Sequence, residues 1–295
     1  MPDPATAGSP PDIEADARRL AAVALAEDGE RDVTTELLAH PDVIVAGEFQ
    51  YRGGGVVAGL TYAQAVAELA GCEPIEWTLE DGAIAVPGAS VGRVRGALGA
   101  VLRAERPMLN LLQRACGVAT ATRAFVTAVG DLPCKVLHTR KTAPGLRGLD
   151  LHAVLAGGGA LHRSDLSTQV MFKDNHWWAL ARSGGELGAV LEAARQRGID
   201  DLYVEVESPE QVEMACAAGA TRLLVDNQLP HTLHRWGEAA RALSPGIELE
   251  ATGGITLENV RQYAEAGADF VSVGALTHSV QASDLAIELS DETDG

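Results

Sequence analysis

The sequence is short of cysteine, lysine and aromatic residues, and it contains no long apolar run. Its four cysteines, Cys72, Cys116, Cys134 and Cys216, stand far apart, with neither a CxxC pair nor a Cys/His ligand spacing. That pattern argues against a zinc site or a disulfide framework and suggests reduced core thiols in a cytosolic protein. No stretch approaches the roughly 18 to 20 apolar residues that a spanning helix needs. The opening MPDPATAGSPPD has no basic segment followed by an apolar one, so the expectation is a soluble, cytoplasmic protein with a disordered lead over residues 1–12. Basic residues are also in deficit, 23 Lys and Arg against 41 Asp and Glu, for a formal charge of −18. Phosphate backbones are held by surplus cations, so nucleic acid is not an expected partner. Any anionic ligand would need a local basic pocket. The acidic residues crowd the ends of the chain, in DIEADARRLAAVALAEDGE and SDETDG, and read as solvated surface.

What is present is 46% hydrophobic residues in a chain of 295, enough for one large core or two unequal ones. Ile13 to Ala26 follow a helical period, and DVIVAGEF alternates as a strand. RGGGVVAGL is a turn-rich link to a helix starting near Thr61. A further helix or helix pair covers about Arg103 to Val129, with Pro107 tolerated only in a first turn. After Leu132 the texture changes. Short apolar runs, CKVLH, QVMF, LYVEV, RLLV, IELEA and DFVSV, alternate with amphipathic stretches such as SPEQVEMACAAG, LPHTLHRWGEAARAL and TLENVRQYAEAG. Such alternation predicts βαβ units and a parallel sheet. Six strands fit a closed α/β barrel, with an open sheet as the alternative.

In α/β barrels the chemistry sits at the C-terminal ends of the strands. Here those ends carry Thr139, Arg140 and Lys141 after CKVLH, Lys173 in KDNH after QVMF, and Glu205 within LYVEVE. Asp226 follows RLLV, Thr252, Gly253 and Gly254 follow IELEA, and Gly274 follows DFVSV. Arg140, Lys141, Arg163 and Lys173 suit carboxylates and phosphates. Glu205 and Asp226 suit a magnesium ion that keeps waters and bridges substrate phosphates. TGGITLEN sets backbone N–H groups at a helix start as a phosphate seat. Each reading has a plainer rival: Arg140 and Lys141 as loop charges, Asp226 as a turn or cap, TGG as a tight turn, and GGG at 157–159 as a helix stop. His162 and His278, taken alone, read as structural.

With these residues in view, the sequence resembles the quinolinate phosphoribosyltransferase family over nearly its whole length. The resemblance is carried by AED with DVTTELL, GVVAGL, ERPMLNLLQRACGVATATR, HTRKTAPGLR, AVLAGGGALHR, VMFKDNH, VEVES, VDN and EATGGITLENVRQYAEAGADFVSVGALTHS, in that order. It implies an α/β fold with an N-terminal α/β sandwich domain over 13–130, an incomplete TIM-like barrel over 131–275, and a tail over 276–295 that returns to the first domain. It also implies a homodimer or a hexamer built as a trimer of dimers, with Arg106 of ERPMLN entering the partner's site.

The roles it implies are transferred residue by residue. Arg140 and Arg163, with His162 and Lys173, match positions that grip the two quinolinate carboxylates. Lys141, Glu205 and Asp226 match phosphoribosyl pyrophosphate and magnesium positions. Thr139, Thr252, Gly253, Gly254, Val273, Gly274, Ala275 and His278 belong to the remaining substrate-binding segments, the glycine-rich ones matching 5′-phosphate loops. The implied reaction joins quinolinate to a phosphoribosyl group and releases nicotinate mononucleotide, pyrophosphate and carbon dioxide, with Lys173 the candidate for placing the departing carboxylate. Four departures stand out: His138 in place of Asp before TRKT, Leu161 in place of Asn or Ser before HR, Leu151-His152 in place of Lys-Tyr, and Gln228 in place of Phe after DN. They keep open a related phosphoribosyltransferase of the molybdenum-uptake-linked type acting on another aromatic acid. A catalytically silent barrel that binds phosphorylated metabolites is the alternative of another class.

Overall fold

A computed structural model describes residues 12–291 of the chain. The expected disordered lead therefore lies outside the described residues, except for Asp12. The Asp12 carboxylate caps the first helix by accepting the Ala15 N–H at 3.1 Å. Among the described residues the chain divides into two compact units, one of 12–123, 141–158 and 275–291, the other of 124–140 and 159–274. In chain order the elements begin with α1 (Ile13–Glu27), β1 (Ile44–Tyr51), β2 (Gly55–Val56), α2 (Leu60–Ala70), β3 (Glu76–Trp77), β4 (Ile84–Ala85), β5 (Ala89–Ala97) and α3 (Leu98–Val129). There follow β6 (Lys135–Leu137), α4 (Arg147–Ala156), β7 (Val170–Phe172), α5 (Asp174–Ser183), α6 (Leu187–Arg195), β8 (Leu202–Val206), α7 (Pro209–Ala217) and β9 (Arg222–Asp226). The chain then forms α8 (Pro230–Leu243), β10 (Glu248–Thr252), α9 (Val260–Glu265), β11 (Phe270–Ser272), α10 (Ala275–His278) and β12 (Leu285–Asp291).

The first unit is built on an antiparallel sheet in the order β12-β1-β5-β3. The alternation in IVAGEFQY drives Phe49 and Tyr51 to full burial, each contributing roughly 1.5–3 kcal/mol. The C-terminal strand β12 pairs with β1 from Val45 opposite Asp291 to Tyr51 opposite Leu285. Helix α2 starts after Gly59, whose φ of 91° and close approach to the Ala115 methyl leave no room for a side chain. The expected helix from about Arg103 is corrected: α3 begins at Leu98, and Pro107 stands in its interior. Proline there removes a backbone bond and crowds the preceding turn, at a cost of about 3 kcal/mol. An apolar stripe of Val101, Ala104, Met108, Leu112 and Ala115, all fully buried, offsets it.

The second unit holds six parallel strands in the order β6-β11-β10-β9-β8-β7. Taken in a circle this is chain order, with β6 paired to β11 and no ladder from β6 to β7 among the described residues. The closed barrel suggested by pattern is thus corrected to an incomplete one. The free edge of β6 is instead taken by Ala160, whose N–H donates to Val136 O at 2.8 Å.

Strand period and register then decide which side chains face inward. Tyr203 pairs with Arg222 and Glu205 with Leu224; Glu248, Glu250 and Thr252 stand opposite Arg222, Leu224 and Asp226. Leu249, of opposite parity, packs outward on α8, so closely that a Cβ on Gly237 would meet its Cδ1 at 2.4 Å. Tyr203, Glu205, Arg222, Asp226, Glu248, Glu250 and Thr252 therefore share the inner face. Polar residues on that face need partners or a ligand.

Candidate active site

The C-terminal rim of the parallel sheet carries a cation and two carboxylates. The Lys173 Nζ donates to Glu205 Oε2 at 2.5 Å, and the Asp174 N–H points at Glu205 Oε1 at 3.3 Å. Trp177 reinforces the strand end by donating from Nε1 to Glu205 O at 2.8 Å. Lys173 itself is held by its backbone N–H, which donates to His176 Nδ1 at 2.9 Å. Next along the rim is Asp226. Burial raises its carboxyl above the ordinary value and the Glu205 charge adds to this, while the Asn227 amide and the Lys173 ammonium work against it.

Asn227 is a site residue that sequence reasoning passed over, although VDN was in view. It is the one non-glycine with positive φ among the described residues, at 52°, the kind of backbone held only where the surroundings demand it. Its amide donates to Asp226 Oδ2 at 2.6 Å, and its N–H donates to Thr252 O at 2.9 Å. Gly253, with φ of 81°, leaves no space for a side chain, because a Cβ there would meet Asn227 Oδ1 at 2.2 Å. The Asp226 and Thr252 strand ends are thereby locked together.

The expectation that TGGITLEN sets N–H groups at a helix start is corrected. Helix α9 starts only at Val260 and has six residues. Gly253 and Gly254 form a separate turn with φ of 81° and 62°. The Asn259 side chain closes it, accepting the Thr256 N–H and donating to Gly254 O. A turn of this kind still presents backbone N–H groups.

Two arginines form the most unusual electrostatic feature. Arg163 is 8% exposed, and its Nε, like that of Arg140, is buried with no hydrogen-bond partner. Burial lowers the Arg163 guanidinium below its ordinary value, and the Arg140 charge lowers it further. The Asp165 charge offsets part of this without hydrogen-bonding either buried Nε, and two neighbouring cations remain costly until further negative charge arrives.

Elsewhere on the inner face the charged groups Arg222, Glu248 and Glu250 are paired with one another. Arg222 donates from Nε to Glu248 at 2.9 Å and from Nη1 to Glu250 at 3.2 Å. Its guanidinium lies 4.4 Å from the Tyr203 ring centroid and 3.7 Å from that of Phe270. Glu250, 1% exposed, also accepts from Ser272 Oγ at 2.5 Å and from His162 Nε2 at 3.0 Å. Burial alone would raise the Glu250 carboxyl, but His162, Arg222 and Ser272 together hold it down at about 2. The other His162 nitrogen, Nδ1, accepts the Arg163 N–H at 2.7 Å. His162 is thus engaged on both sides and contributes no open nitrogen.

Of the remaining sequence candidates, Arg106, Lys141, Ala275 and His278 belong to the first unit. Arg106 is exposed on α3. Lys141 is exposed, and its carbonyl accepts from Thr277 Oγ1 at 2.9 Å. Thr277 O in turn accepts from Arg114, whose fork holds the buried Asp150 at 2.8 and 2.9 Å. His278 is exposed and Ala275 half-buried. In the second unit, Thr139 and Gly274 are half-buried and Val273 is buried. Of the departures from the family pattern, Leu151 and Leu161 are buried apolar side chains, and His138 is buried with Nδ1 at 3.2 Å from Thr139 O. Gln228 donates to Asp226 O at 3.2 Å. None introduces an acidic group beside the arginine pair.

No group of three or more His, Cys, Asp or Glu residues that could hold a metal occurs among the described residues. The Glu205 and Asp226 pair fits a magnesium ion of a different kind, one held mainly by water and substrate phosphates. The Asp226 carboxyl is raised first by burial and then by the Glu205 charge, and a cation would ease both. Among the described residues no helix is long and apolar enough to cross a membrane.

Comparison with known proteins places the chain in a family. The family model for the quinolinate phosphoribosyl transferase N-terminal domain matches residues 32–116, and that for the C-terminal domain matches residues 118–288. The chain is 37% identical to the nicotinate-nucleotide pyrophosphorylase (carboxylating) of Mycobacterium leprae (strain TN), covering 88% of this chain and 91% of the relative. It is 39% identical to the Homo sapiens protein of the same name, covering 81% and 80%. The solved structure of the nicotinate-nucleotide pyrophosphorylase from Francisella tularensis superposes with a TM-score of 0.88 at 29% identity, covering 98% of this chain and 100% of that one. Two family models that together span most of the sequence, and relatives matched over most of their own length, show that the chain belongs to the quinolinate phosphoribosyltransferase family.

Proposed function

We propose that the chain transfers a phosphoribosyl group from phosphoribosyl pyrophosphate to quinolinate with decarboxylation, giving nicotinate mononucleotide, pyrophosphate and carbon dioxide. The observation that carries the reading is the Arg140 and Arg163 pair, two neighbouring cations whose buried Nε atoms lack partners. Such a pair suits a ligand with two adjacent carboxylates, and the planar forks give it orientation. Lys173, tethered to Glu205, adds a third cation that can exchange its protein carboxylate for one of the substrate.

Charge placement does most of the catalytic work in this scheme. The C1–O bond of phosphoribosyl pyrophosphate breaks, and pyrophosphate leaves with the electron pair. The pyridine nitrogen then donates its lone pair to C1, forming the N–C1 bond. In the resulting pyridinium, the C2–carboxylate bond breaks, its electron pair stays at C2 beside the cationic nitrogen, and a proton completes the product. Arg140 and Arg163 hold the ring in place, Lys173 positions the departing carboxylate, and Lys141 contacts the phosphoribosyl group. The Gly253–Gly254 turn and Thr252, with Val273, Gly274 and Ala275, receive the 5′-phosphate, and Thr139 and His278 contribute further polar contacts. A magnesium ion, held by Glu205 and Asp226, would neutralise charge on the leaving pyrophosphate.

The enzyme acts in the cytoplasm as a dimer or a trimer of dimers, with Arg106 donated across the subunit interface. The exposed position of Arg106 on α3 supports this part of the reading. Turnover assays test the reaction: with magnesium and phosphoribosyl pyrophosphate, quinolinate gives mononucleotide and carbon dioxide in equal amounts, and nicotinate turns over poorly. Equal or faster turnover of nicotinate would contradict the assignment. Mixing inactive Arg106→Ala with inactive Lys141→Ala protein tests the donated arginine. Restored activity is expected from hybrid dimers with one intact site, and confirmed subunit exchange without recovery would refute it.

A further inference from the structure

Glu250 makes no contact that the proposed chemistry calls for, yet it is the most deeply placed carboxylate on the inner face. Ionised carboxylates are expensive to bury, so each of its bonds asks for an explanation. Neutralising Arg222 is not a sufficient one, because Glu248 already takes that guanidinium, with Nη2 to Oε2 at 2.7 Å. The remaining bonds lead elsewhere. Glu250 Oε1 accepts from Ser272, directly before Val273 and Gly274. Glu250 Oε2 accepts from His162 Nε2. Because His162 Nδ1 accepts the Arg163 N–H at 2.7 Å, that nitrogen carries no proton, and the ring proton lies on Nε2 facing Glu250. The chain of bonds therefore runs from carboxylate to imidazole to the backbone of Arg163. An imidazole without such an acceptor could turn over and present N–H where the Arg163 N–H needs a lone pair.

We infer that Glu250 is a positioning residue for quinolinate: acting through His162, it fixes the backbone of Arg163 and so aims the guanidinium at the substrate carboxylates. This rests on the reading of Arg163 as a carboxylate ligand. The arrangement parallels the orienting carboxylates behind metal-ligating histidines, whose loss typically lowers affinity by about tenfold to a hundredfold. Here the oriented group is an arginine and the ligand an anion. The second bond, through Ser272, stiffens the neighbouring strand end but engages no side chain assigned to the substrate.

The test is a set of variants assayed for the two substrates separately. Glu250→Gln keeps the shape and replaces an acceptor-only carboxylate by an amide. His162→Gln keeps a donor that reaches Glu250 but has no acceptor at the place of Nδ1, where the Arg163 N–H donates. Arg163→Ala is the control for the underlying reading. Circular dichroism and thermal melting identify folded protein, and steady-state kinetics give KM for quinolinate and for phosphoribosyl pyrophosphate. Both Glu250→Gln and His162→Gln are expected to raise the quinolinate KM by about tenfold to a hundredfold, with the phosphoribosyl pyrophosphate KM within about twofold of wild type. A purely structural role would lower the melting temperature without separating the two constants. If Glu250→Gln fails to fold, His162→Gln decides. A quinolinate KM unchanged in the folded variants, or a rise shared equally by both substrates, overturns the inference if Arg163→Ala raises the quinolinate KM. If Arg163→Ala itself leaves that constant unchanged, the carboxylate assignment falls, and the inference with it.

Discussion

Two groups of buried charge lie in the parallel-sheet unit, and they are completed in different ways. Arg222 has Glu248 and Glu250 as partners and stacks against Tyr203 and Phe270, while Glu250 is shared further with His162 and Ser272. Arg140 and Arg163 hold buried Nε atoms without partners and repel one another. Charge is expensive to bury in both places. In the first group the protein offsets the cost from within; in the second Asp165 offsets only part of it, and the rest is left for a ligand. A charge inside the barrel is therefore not by itself a sign of function. The useful sign is charge left unanswered, and it separates the proposed substrate grip from the scaffold beneath it.

The sharpest way to break this comparison is to remove one arginine from each group. Arg222→Met leaves Glu250 and Glu248 without their shared cation, and denaturant unfolding should show a loss of about 3–5 kcal/mol. Arg163→Met removes a charge that burial and Arg140 disfavour and only the Asp165 charge partly offsets, so the same experiment should show a much smaller loss or none. Equal losses at the two sites would show that the groups do not differ as described.

A second test uses acid. Glu250 is held at about 2 in the fold against an ordinary 4.5. A carboxyl lowered in this way stabilises the fold above its ordinary value and loses that contribution as pH falls toward about 2. The advantage of wild type over Glu250→Gln should be present at neutral pH and shrink steadily as pH falls below about 4.5. Unfolding curves of both proteins across that range check it. An advantage independent of pH would mean that the ionised form is not what the network holds.

The smallest effect belongs to Asp226, whose carboxyl is raised by burial and by Glu205. A raised carboxyl works in the opposite sense: stability falls as pH rises from the ordinary value through the folded one. Asp226→Asn should therefore be slightly more stable than wild type at neutral pH without magnesium, by under about 1 kcal/mol once solvent screening is allowed for. Melting curves with and without magnesium and phosphoribosyl pyrophosphate sharpen the point, because added metal and substrate should favour wild type over the variant.

Much of this architecture is legible in the sequence for identifiable reasons. The six parallel strands are short β-branched or apolar runs, and strands buried on both faces read in this way. The rim residues Lys173, Glu205, Asp226 and Thr252 stand where those runs end. Other features depend on tertiary packing. Pro107 sits inside α3 because an apolar stripe outweighs its local cost, which no window around the proline reveals. The gap between β6 and β7 depends on Ala160 occupying an edge. The Gly253–Gly254 turn reads as a helix start because TLEN has capping chemistry, yet Asn259 spends that chemistry on closing the turn. His162 looks like a ligand contact until both its nitrogens are traced. The inner charges Arg222 and Glu250 did leave a trace: in RLLVD and ELEAT a two-residue period places them on one face. They are easily passed over because charge in a parallel strand reads as the strand's end.

The account rests most heavily on the arginine pair as the grip for two carboxylates, and isothermal titration tests it most directly. Quinolinate and nicotinate should be titrated separately into wild-type protein and into Arg163→Ala, with melting curves to confirm that both are folded. Wild type should bind quinolinate far more tightly than nicotinate. Loss of one charged contact in a desolvated site costs about 2 to 5 kcal/mol, so quinolinate affinity should fall by roughly 30-fold to several thousand-fold in the variant, while nicotinate affinity changes much less. A folded variant that keeps the wild-type preference for quinolinate would contradict the account.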